Sequence, residues 1–492
     1  MRRPFLPRDK EEIKEVIMAN SFLIYDLTFL IAFTLFVIIF LYKRRMNLQR
    51  QGLLFLYRTQ VGVRFIDKFS KKYSSILKPL QYIIILSGYI LMFAMVWMLA
   101  QFSWIYLKSP VAAKALRIPV LLPLVPYLPD IFKLDFLPSF NFTYWIIIIA
   151  IIAIPHEFAH GIFARLNNIK IHSTGFGFLG PFLAAFVEQD DKQMNKAPKF
   201  AQLSVLAAGT FANVIFTVIF GLLFWLFFIS TFTQAGVLFN AYSSSQITIA
   251  DISQLNGISI SSPEQIPPLL NESLAEIFVN GKKYFANPGS LKLAIENKIP
   301  GIQVFDDTPA FNARLAGAIS EINGEKITSF NQISAALQSH KPGDTLEIKT
   351  LYQESVRKNN VEERSYTIQL AEKEGKPFLG IGVSSPRSTG PMGVIFSLIS
   401  EIKDPLIFYQ SSLGTFGWFI YFFLWWAVLI LVSVALVNML PVGIFDGGRF
   451  FYLTIWALTG SEKIGRNTFK ISTWLILLLV LAMMIKWALI FV

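Results

Sequence analysis

Trp145-Ile146-Ile147-Ile148-Ile149-Ala150-Ile151-Ile152-Ala153-Ile154-Pro155-His156-Glu157-Phe158-Ala159-His160 is an apolar run that ends in His-Glu-x-x-His. On a helix, residues four apart share a face, so the His156 and His160 imidazoles can grip one metal ion. Glu157, the next residue round, can then reach a water bound to that metal. An ionised carboxylate costs about 2.5–3.5 kcal/mol or more at the centre of a membrane helix, so one placed there carries a function.

Working outward, the 492-residue chain is 54% hydrophobic, above the share of about 45–50% usual for soluble domains. Several runs exceed the roughly 20 residues needed to cross a bilayer core of about 30 Å. The expected fold class is a multi-pass α-helical membrane protein with about six transmembrane helices, at about 22–42, 80–107, 142–165, 200–229, 415–440 and 469–491. The first span starts near Ser21 without a small-residue cleavage pattern and reads as an anchor. The net charge of +12 does not point to nucleic acid, because the basic residues cluster beside the spans, where they orient the chain and meet anionic lipid. The absence of cysteine excludes disulfides, thiolate metal sites and a cysteine nucleophile.

Lys43-Arg44-Arg45, Arg50, Arg58, Arg64, Lys68, Lys71, Lys72 and Lys78 make the first inter-span loop the most basic short loop, which places it in the cytoplasm. Leu53, Leu54, Phe55, Phe65, Ile66 and Phe69 fit an amphipathic helix on the inner membrane surface, with protein docking as the alternative. Counting spans from there puts the loops with Lys192, Lys196 and Lys199, and with Lys463, Arg466 and Lys470, on the same side. His156 lies about 14 residues into its span, about 21 Å at 1.5 Å per residue, in the cytoplasmic half of the core. Residues 110–139, with Pro110, Pro119, Pro123, Pro126, Pro129 and Pro138, read as an outer loop touching the membrane.

Residues 234–390 are polar and contain a repeat. Ile252-Ser253-Gln254-Leu255-Asn256-Gly257 returns as Ile319-Ser320-Glu321-Ile322-Asn323-Gly324. Ile260, Ser262, Gln265, Ile266 and Leu270 recur as Ile327, Ser329, Gln332, Ile333 and Leu337. Each copy reads as strand, Asn-Gly turn, strand and amphipathic helix. The second continues through Lys341-Pro342-Gly343-Asp344 to Phe378-Leu379-Gly380-Ile381-Gly382-Val383, and with Thr308-Pro309-Ala310 it resembles a PDZ domain. Such a domain binds an extended segment at a sheet edge. The first copy reads as a shortened unit; one larger mixed sheet is the alternative.

Two histidines do not complete a catalytic zinc site, which takes three protein ligands and leaves a position for water. Asn438-Met439-Leu440-Pro441-Val442-Gly443-Ile444-Phe445-Asp446-Gly447-Gly448-Arg449 offers Asp446, beside a glycine pair that frees the backbone to turn sharply. Pro441 breaks a helix at membrane depth, tolerated where backbone lines a polar cavity or is buried in protein. A plain helix cap is the alternative for Asp446. It follows a span running the same way as that of His156, so both reach the cytoplasmic half.

His156-Glu157-x-x-His160 in a span, a PDZ-like insert and Asn438-x-x-Pro441-x-x-x-Phe445-Asp446-Gly447-Gly448 together resemble the site-2 proteases, intramembrane zinc endopeptidases, over roughly residues 140–460. Phe445 departs from the family's leucine. The resemblance implies that His156, His160 and Asp446 hold one zinc ion and that Glu157 is the general base. Zinc lowers its water's pKa to about 7 and polarises the scissile carbonyl; protonated Glu157 can pass its proton to the leaving amine. Gly209-Thr210-Phe211-Ala212-Asn213 resembles the family's Gly-x-x-x-Asn element. Asn213 and Asn438 are candidate substrate-binding residues, with interhelical hydrogen bonding as the alternative. Gly175-Phe176-Gly177-Phe178-Leu179-Gly180-Pro181 through Phe186-Val187-Glu188 looks like the family's re-entrant hairpin. Glu188 reads as a solvated acid, with a gate as the alternative. His172 reads as an interfacial histidine, His340 as exposed, and Asp26 as a residue reached by interfacial water.

The expected organisation is a two-span membrane region with a basic amphipathic cytoplasmic loop (1–139), a first catalytic part (140–233), a soluble extracytoplasmic α+β PDZ-like region (234–390), and a second catalytic part with the last span (391–492). The expected function is zinc-dependent cleavage of transmembrane segments of membrane-protein substrates already cut on the outer side. The partners are that substrate and the lipid bilayer. The rivals are an inactive binder of membrane clients and a metal or proton transporter.

Overall fold

Among the described residues of this computed structural model, six helices are long and apolar enough to cross a membrane: Leu23–Lys43, Ser74–Lys108, Phe142–Leu166, Lys199–Thr231, Gly414–Asn438 and Glu462–Ala488. They fall on the apolar runs read from the sequence, and the chain is a multi-pass membrane protein. The structure describes residues 10–45, 48–52, 54–108, 124–132, 134, 137–179, 182–271, 273–353, 361–382 and 403–489. Leu53, Pro110, Pro119, Pro123, Gly180, Pro181 and Val383 lie outside them. Two compact units are present, Met1–Phe228 with Phe419–Val492, and Ile229–Trp418.

The first unit holds helices α1 (Lys10–Lys43), α2 (Val61–Lys72), α3 (Ser74–Lys108), α4 (Phe142–Leu166), α5 (Lys199–Thr231), α6 (Gly414–Asn438), α7 (Asp446–Thr459) and α8 (Glu462–Ala488). Strands β1 (Leu48–Gln51), β2 (Leu54–Thr59), β3 (Ile171–Leu179) and β4 (Phe182–Gln189) form one antiparallel sheet in that order. The amphipathic helix expected around residues 53–69 therefore begins only at Val61, and the residues before it form a hairpin. The reason is tertiary: aromatic and aliphatic side chains suit a strand when a partner exists, and β3 supplies one, with Phe55 opposite Phe178 and Arg58 opposite Gly175. Only glycine fits at 175, because a Cβ there would overlap the Tyr57 carbonyl and the Phe186 ring.

The buried face of α2 docks on α4 instead of serving lipid alone. Ile66 is fully buried and packs where a Cβ on Gly161 would stand, and Asp67 pairs with Arg165 at 2.5 Å. Val61 and Phe65 remain exposed on the other face. One half of α4 packs Phe142, Trp145, Ile148 and Ile152 against Trp426, Ile430 and Leu431 of α6. Its other half shares a core with Ile84, Leu206, Ala207, Met439 and Phe450.

Asp26 does not face interfacial water: it is 2% exposed. Its carboxylate accepts the Phe142 and Thr143 backbone N–H groups, each at 2.9 Å, and the Thr143 and Tyr127 hydroxyls. The first N–H groups of any helix lack partners within it, so a carboxylate on α1 caps the start of the histidine-bearing helix. The favourable dipole end adds to that bond.

The second unit carries the repeat in its geometry. Strands β5 (Phe232–Leu238), β6 (Ala241–Tyr242), β7 (Ser244–Thr248), β8 (Ile252–Leu255), β9 (Ile258–Ser259), β10 (Ala275–Val279), β11 (Lys282–Ala286) and β12 (Gly301–Asp306) are followed by β13 (Ala318–Ile322), β14 (Glu325–Lys326), β15 (Thr345–Tyr352), β16 (Glu362–Gln369), β17 (Ala371–Lys373), β18 (Lys376–Phe378), β19 (Ile381–Gly382) and β20 (Ile407–Ser411). One sheet runs β7-β12-β11-β10-β8-β9, the other β16-β15-β13-β5-β20 with β14 on β13. The β8–β9 and β13–β14 turns place Asn256 and Asn323 at φ 48° and 50°, each followed by glycine at φ 82°. Asn256 exchanges backbone and side-chain bonds with Glu276, and Asn323 does the same with Glu347. Gln265 accepts the Ser261 N–H at 2.9 Å, as Gln332 accepts the Thr328 N–H at 2.7 Å.

The copies then part. Ser329 and Gln332 form a capping box on the helix Phe330–Gln338, whereas the first copy has only two 3₁₀ turns, Pro263–Gln265 and Pro267–Leu269. The amphipathic helix expected in both copies is thus confined to the second. Pro267 and Pro268 lack the N–H groups that would bond back to residues 263 and 264.

Candidate metal centre

His156 and His160 stand one turn apart on α4, and Asp446 opens α7. His156 Nε2 lies 3.1 Å from His160 Nε2, and each is 3.3 Å from Asp446 Oδ2. Four-coordinate zinc with bonds of about 2.0–2.1 Å sets its donors about 3.3–3.4 Å apart. The three donor atoms match that spacing, and they are the group of His, Asp or Glu side chains within metal-binding reach among the described residues.

The outer nitrogens fix which atoms face the centre. His160 Nδ1–H donates to the Val205 carbonyl at 2.7 Å, leaving Nε2 with the lone pair turned to Asp446. His156 Nδ1 is 3.2 Å from the Asn213 amide nitrogen, while Asn213 Oδ1 is buried without a partner. Oxygen and nitrogen of a side-chain amide are told apart only by their bonds. With the amide turned over, Asn213 Oδ1 accepts the His156 Nδ1–H, which leaves His156 Nε2 with its lone pair toward the centre.

Val205, Gly209 and Asn213 are spaced by four on α5 and so form one stripe facing the two imidazoles. Gly209 is the point of closest approach: a Cβ would lie 2.6 Å from His156 Cε1 and 2.7 Å from its Nε2, and closer still to His160 Nε2. Asp446 is placed by a similar device. Gly447 and Gly448 are helical, and Cβ atoms there would overlap the backbone of Met439 and Val442. The glycine pair therefore serves close backbone approach, and the sharp turn expected from it is not its role.

Glu157 Oε2 accepts the Val187 backbone N–H at 3.0 Å, from β4, the sheet's edge strand. His156, Glu157, His160, Asn438 and Asp446 line a cavity of about 330 Å³ together with Val187, Gln189 and Ile444. Asn438 is thus brought to the cavity, while Asn213, fully buried, is held behind His156. Glu188 is part-exposed but lies on a strand, not in a loop: it pairs with Arg58 at 2.8 Å and accepts the Ser173 hydroxyl at 2.6 Å, tying β2, β3 and β4 together. His172 lies outside the cluster, 3.2 Å from Asp190. Hydrogen bonds from the first turn of the following helix, chiefly the Gln193 N–H, hold the Asp190 carboxyl below the usual range. His340 bonds the Ala336 carbonyl at 2.7 Å in the second repeat. The sequence marks Gly209 within the Gly-x-x-x-Asn element but does not single out Val205 or Gln189; the four-residue spacing 205/209/213 is the available signal for Val205.

The sequence model of peptidase family M50 matches residues 144–483, a span that includes both histidines and Asp446. The chain belongs to peptidase family M50, the site-2 protease family. It is 30% identical over 191 residues to the uncharacterized protein MJ0971 of Methanocaldococcus jannaschii, covering 38% of this chain and 47% of that protein. Over 184 residues it is 24% identical to the zinc metalloprotease RasP of Geobacillus kaustophilus, covering 31% of this chain and 42% of RasP. The M50 chain thus spans about half the length of these curated relatives. A solved PDZ domain of the SdrC-like protein Lmo2051 from Listeria monocytogenes is 29% identical, covering 15% of this chain and 75% of that one at a TM-score of 0.13.

Proposed function

We propose that this M50 member is a zinc-dependent intramembrane endopeptidase that cuts transmembrane segments of other membrane proteins. The observation that carries the reading is the triangle of His156 Nε2, His160 Nε2 and Asp446 Oδ2 with Glu157 beside it in one cavity. His156, His160 and Asp446 would hold the ion, with Val205 and Asn213 setting the imidazole orientation. Zinc held there would supply a Lewis acid for the scissile carbonyl and lower the pKa of water to about 7. Glu157 takes the proton from the attacking water on its carboxylate and delivers it to the leaving nitrogen. Asn438, on the cavity wall, would bind the substrate main chain.

A helical peptide bond is shielded by its own turn, so the substrate must unwind. The open edge of β4 offers an unwound segment strand-like pairing beside Glu157. The basic loops between spans support an active site toward the cytoplasm and a soluble unit outside. The repeat supports two PDZ-like units that filter substrates by size or read new carboxyl termini left by an earlier outer cut. Deleting residues 240–388 would then permit cleavage of an intact, uncut substrate. The reading itself is tested by co-expressing single-span membrane proteins with the wild type and with Glu157→Gln. Fragments cut within the span should vanish in the variant and on zinc chelation; identical fragments in all samples would refute it, and metal flux without fragments would favour a transporter.

A further inference from the structure

Gln189 ends β4 and lines the same cavity as Glu157 and the metal-binding trio. Val187 and Gln189, two apart on a strand, direct their side chains to one face, and that face meets α4, since a Cβ on Gly161 would touch Val187 Cγ1 at 3.1 Å. The β3–β4 ladder slips by one residue on β3, at His172, opposite Gln189 and Glu188, so regular pairing ends where Gln189 reaches the cavity. One end of the Gln189 side-chain amide, placed as Oε1, is buried and has no hydrogen-bond partner. A buried acceptor left alone is unfavourable and is retained where a ligand completes it.

The chemistry of that ligand follows from where a substrate would come from. A membrane helix carries few side-chain donors; what it exposes on unwinding is its own main-chain N–H groups, which nothing in lipid can satisfy. Beside Glu157, the nearest N–H on β4, that of Val187, is already committed to the carboxylate. We propose that Gln189 Oε1 accepts one main-chain N–H of the peptide being cut and so fixes its register along β4. This rests on the peptidase reading and adds to it a substrate-binding residue specific for extended backbone, independent of side-chain sequence.

The test uses the full chain, zinc-loaded in nanodiscs, and two probes: acetohydroxamate, which engages metal only, and a leucine tripeptide hydroxamate, which adds extended main chain. Gln189→Leu should leave zinc content and acetohydroxamate binding unchanged and weaken the tripeptide probe by about 3- to 10-fold, the worth of one hydrogen bond. Methylating the tripeptide's amide nitrogens one at a time should reproduce that loss at a single position in the wild type, and cost nothing further there in Gln189→Leu. Equal tripeptide binding by wild type and variant, as a water-filled site would give, overturns the proposal. A wild type that binds neither hydroxamate overturns the peptidase reading beneath it.

Discussion

Adding one methyl group at Gly209 should empty the metal centre while leaving the fold standing. The Cβ of Gly209→Ala would stand 2.6 Å from His156 Cε1 and 2.7 Å from its Nε2, where ordinary contact begins at 3.4 Å. Either the imidazoles swing away or α5 retreats by at least about 0.8 Å, and that retreat would stretch the Val205 and Asn213 bonds to at least about 3.5 and 4.0 Å, beyond useful hydrogen-bond range. A zinc site tolerates about ±0.2 Å in its ligand distances, and losing one outer partner of a ligand typically costs about 10–100-fold in metal affinity. Disturbing both partners and both ligands together should exceed about 100-fold. The assay is zinc per chain by mass spectrometry after equilibration with chelators of graded strength, with thermal unfolding in nanodiscs as the control. Zinc affinity within threefold of wild type in Gly209→Ala would show that α5 does not abut the imidazoles, and the geometry derived for this centre would be wrong.

Other perturbations separate the parts. Asn213→Leu removes the partner of His156 Nδ1 and should lower zinc affinity about 10–100-fold in the same chelator titration. Gly447→Ala should push α7 off the Met439 backbone, costing about 1–3 kcal/mol of stability as overpacking does, with zinc lost, whereas Gly443→Ala, whose Cβ meets only the Phe469 ring at 3.3 Å, should retain both. Asp26→Ala strips a buried charged cap from α4 and should cost about 2–4 kcal/mol in thermal unfolding, with Asp26→Asn costing less because it keeps one acceptor.

The sequence disclosed the features that depend on local spacing. His156 and His160 share a face by helical period alone, and the spans announce themselves by length and hydropathy. Asp446, far off in sequence, is reachable because an acid set between apolar residues and a glycine pair at a span's end stands out, and a span count expects it on the side of His156. What stayed hidden were contacts between distant elements. Asp26 looks like any acid near a span end until α1 is set against α4. Glu188 resembles a solvated loop acid until Arg58 arrives from a hairpin that exists only because β3 offers it an edge. Helical character at residues 54–59 and at 263–270 fails for opposite reasons: a strand partner overrides the first, and Pro267-Pro268 forbids the second. The glycines of Asp446-Gly447-Gly448 signalled a special backbone correctly, but only the packing against Met439 and Val442 says which special property is used.

The central claim is that two imidazoles and one carboxylate hold a single zinc ion beside Glu157. Zinc-edge X-ray absorption on the purified chain measures this directly. The account predicts one zinc per chain, with two imidazole nitrogens and oxygen donors at about 2.0–2.2 Å, and loss of that shell in Asp446→Ala. A zinc shell unchanged in Asp446→Ala, or a wild type that retains no zinc, would contradict it.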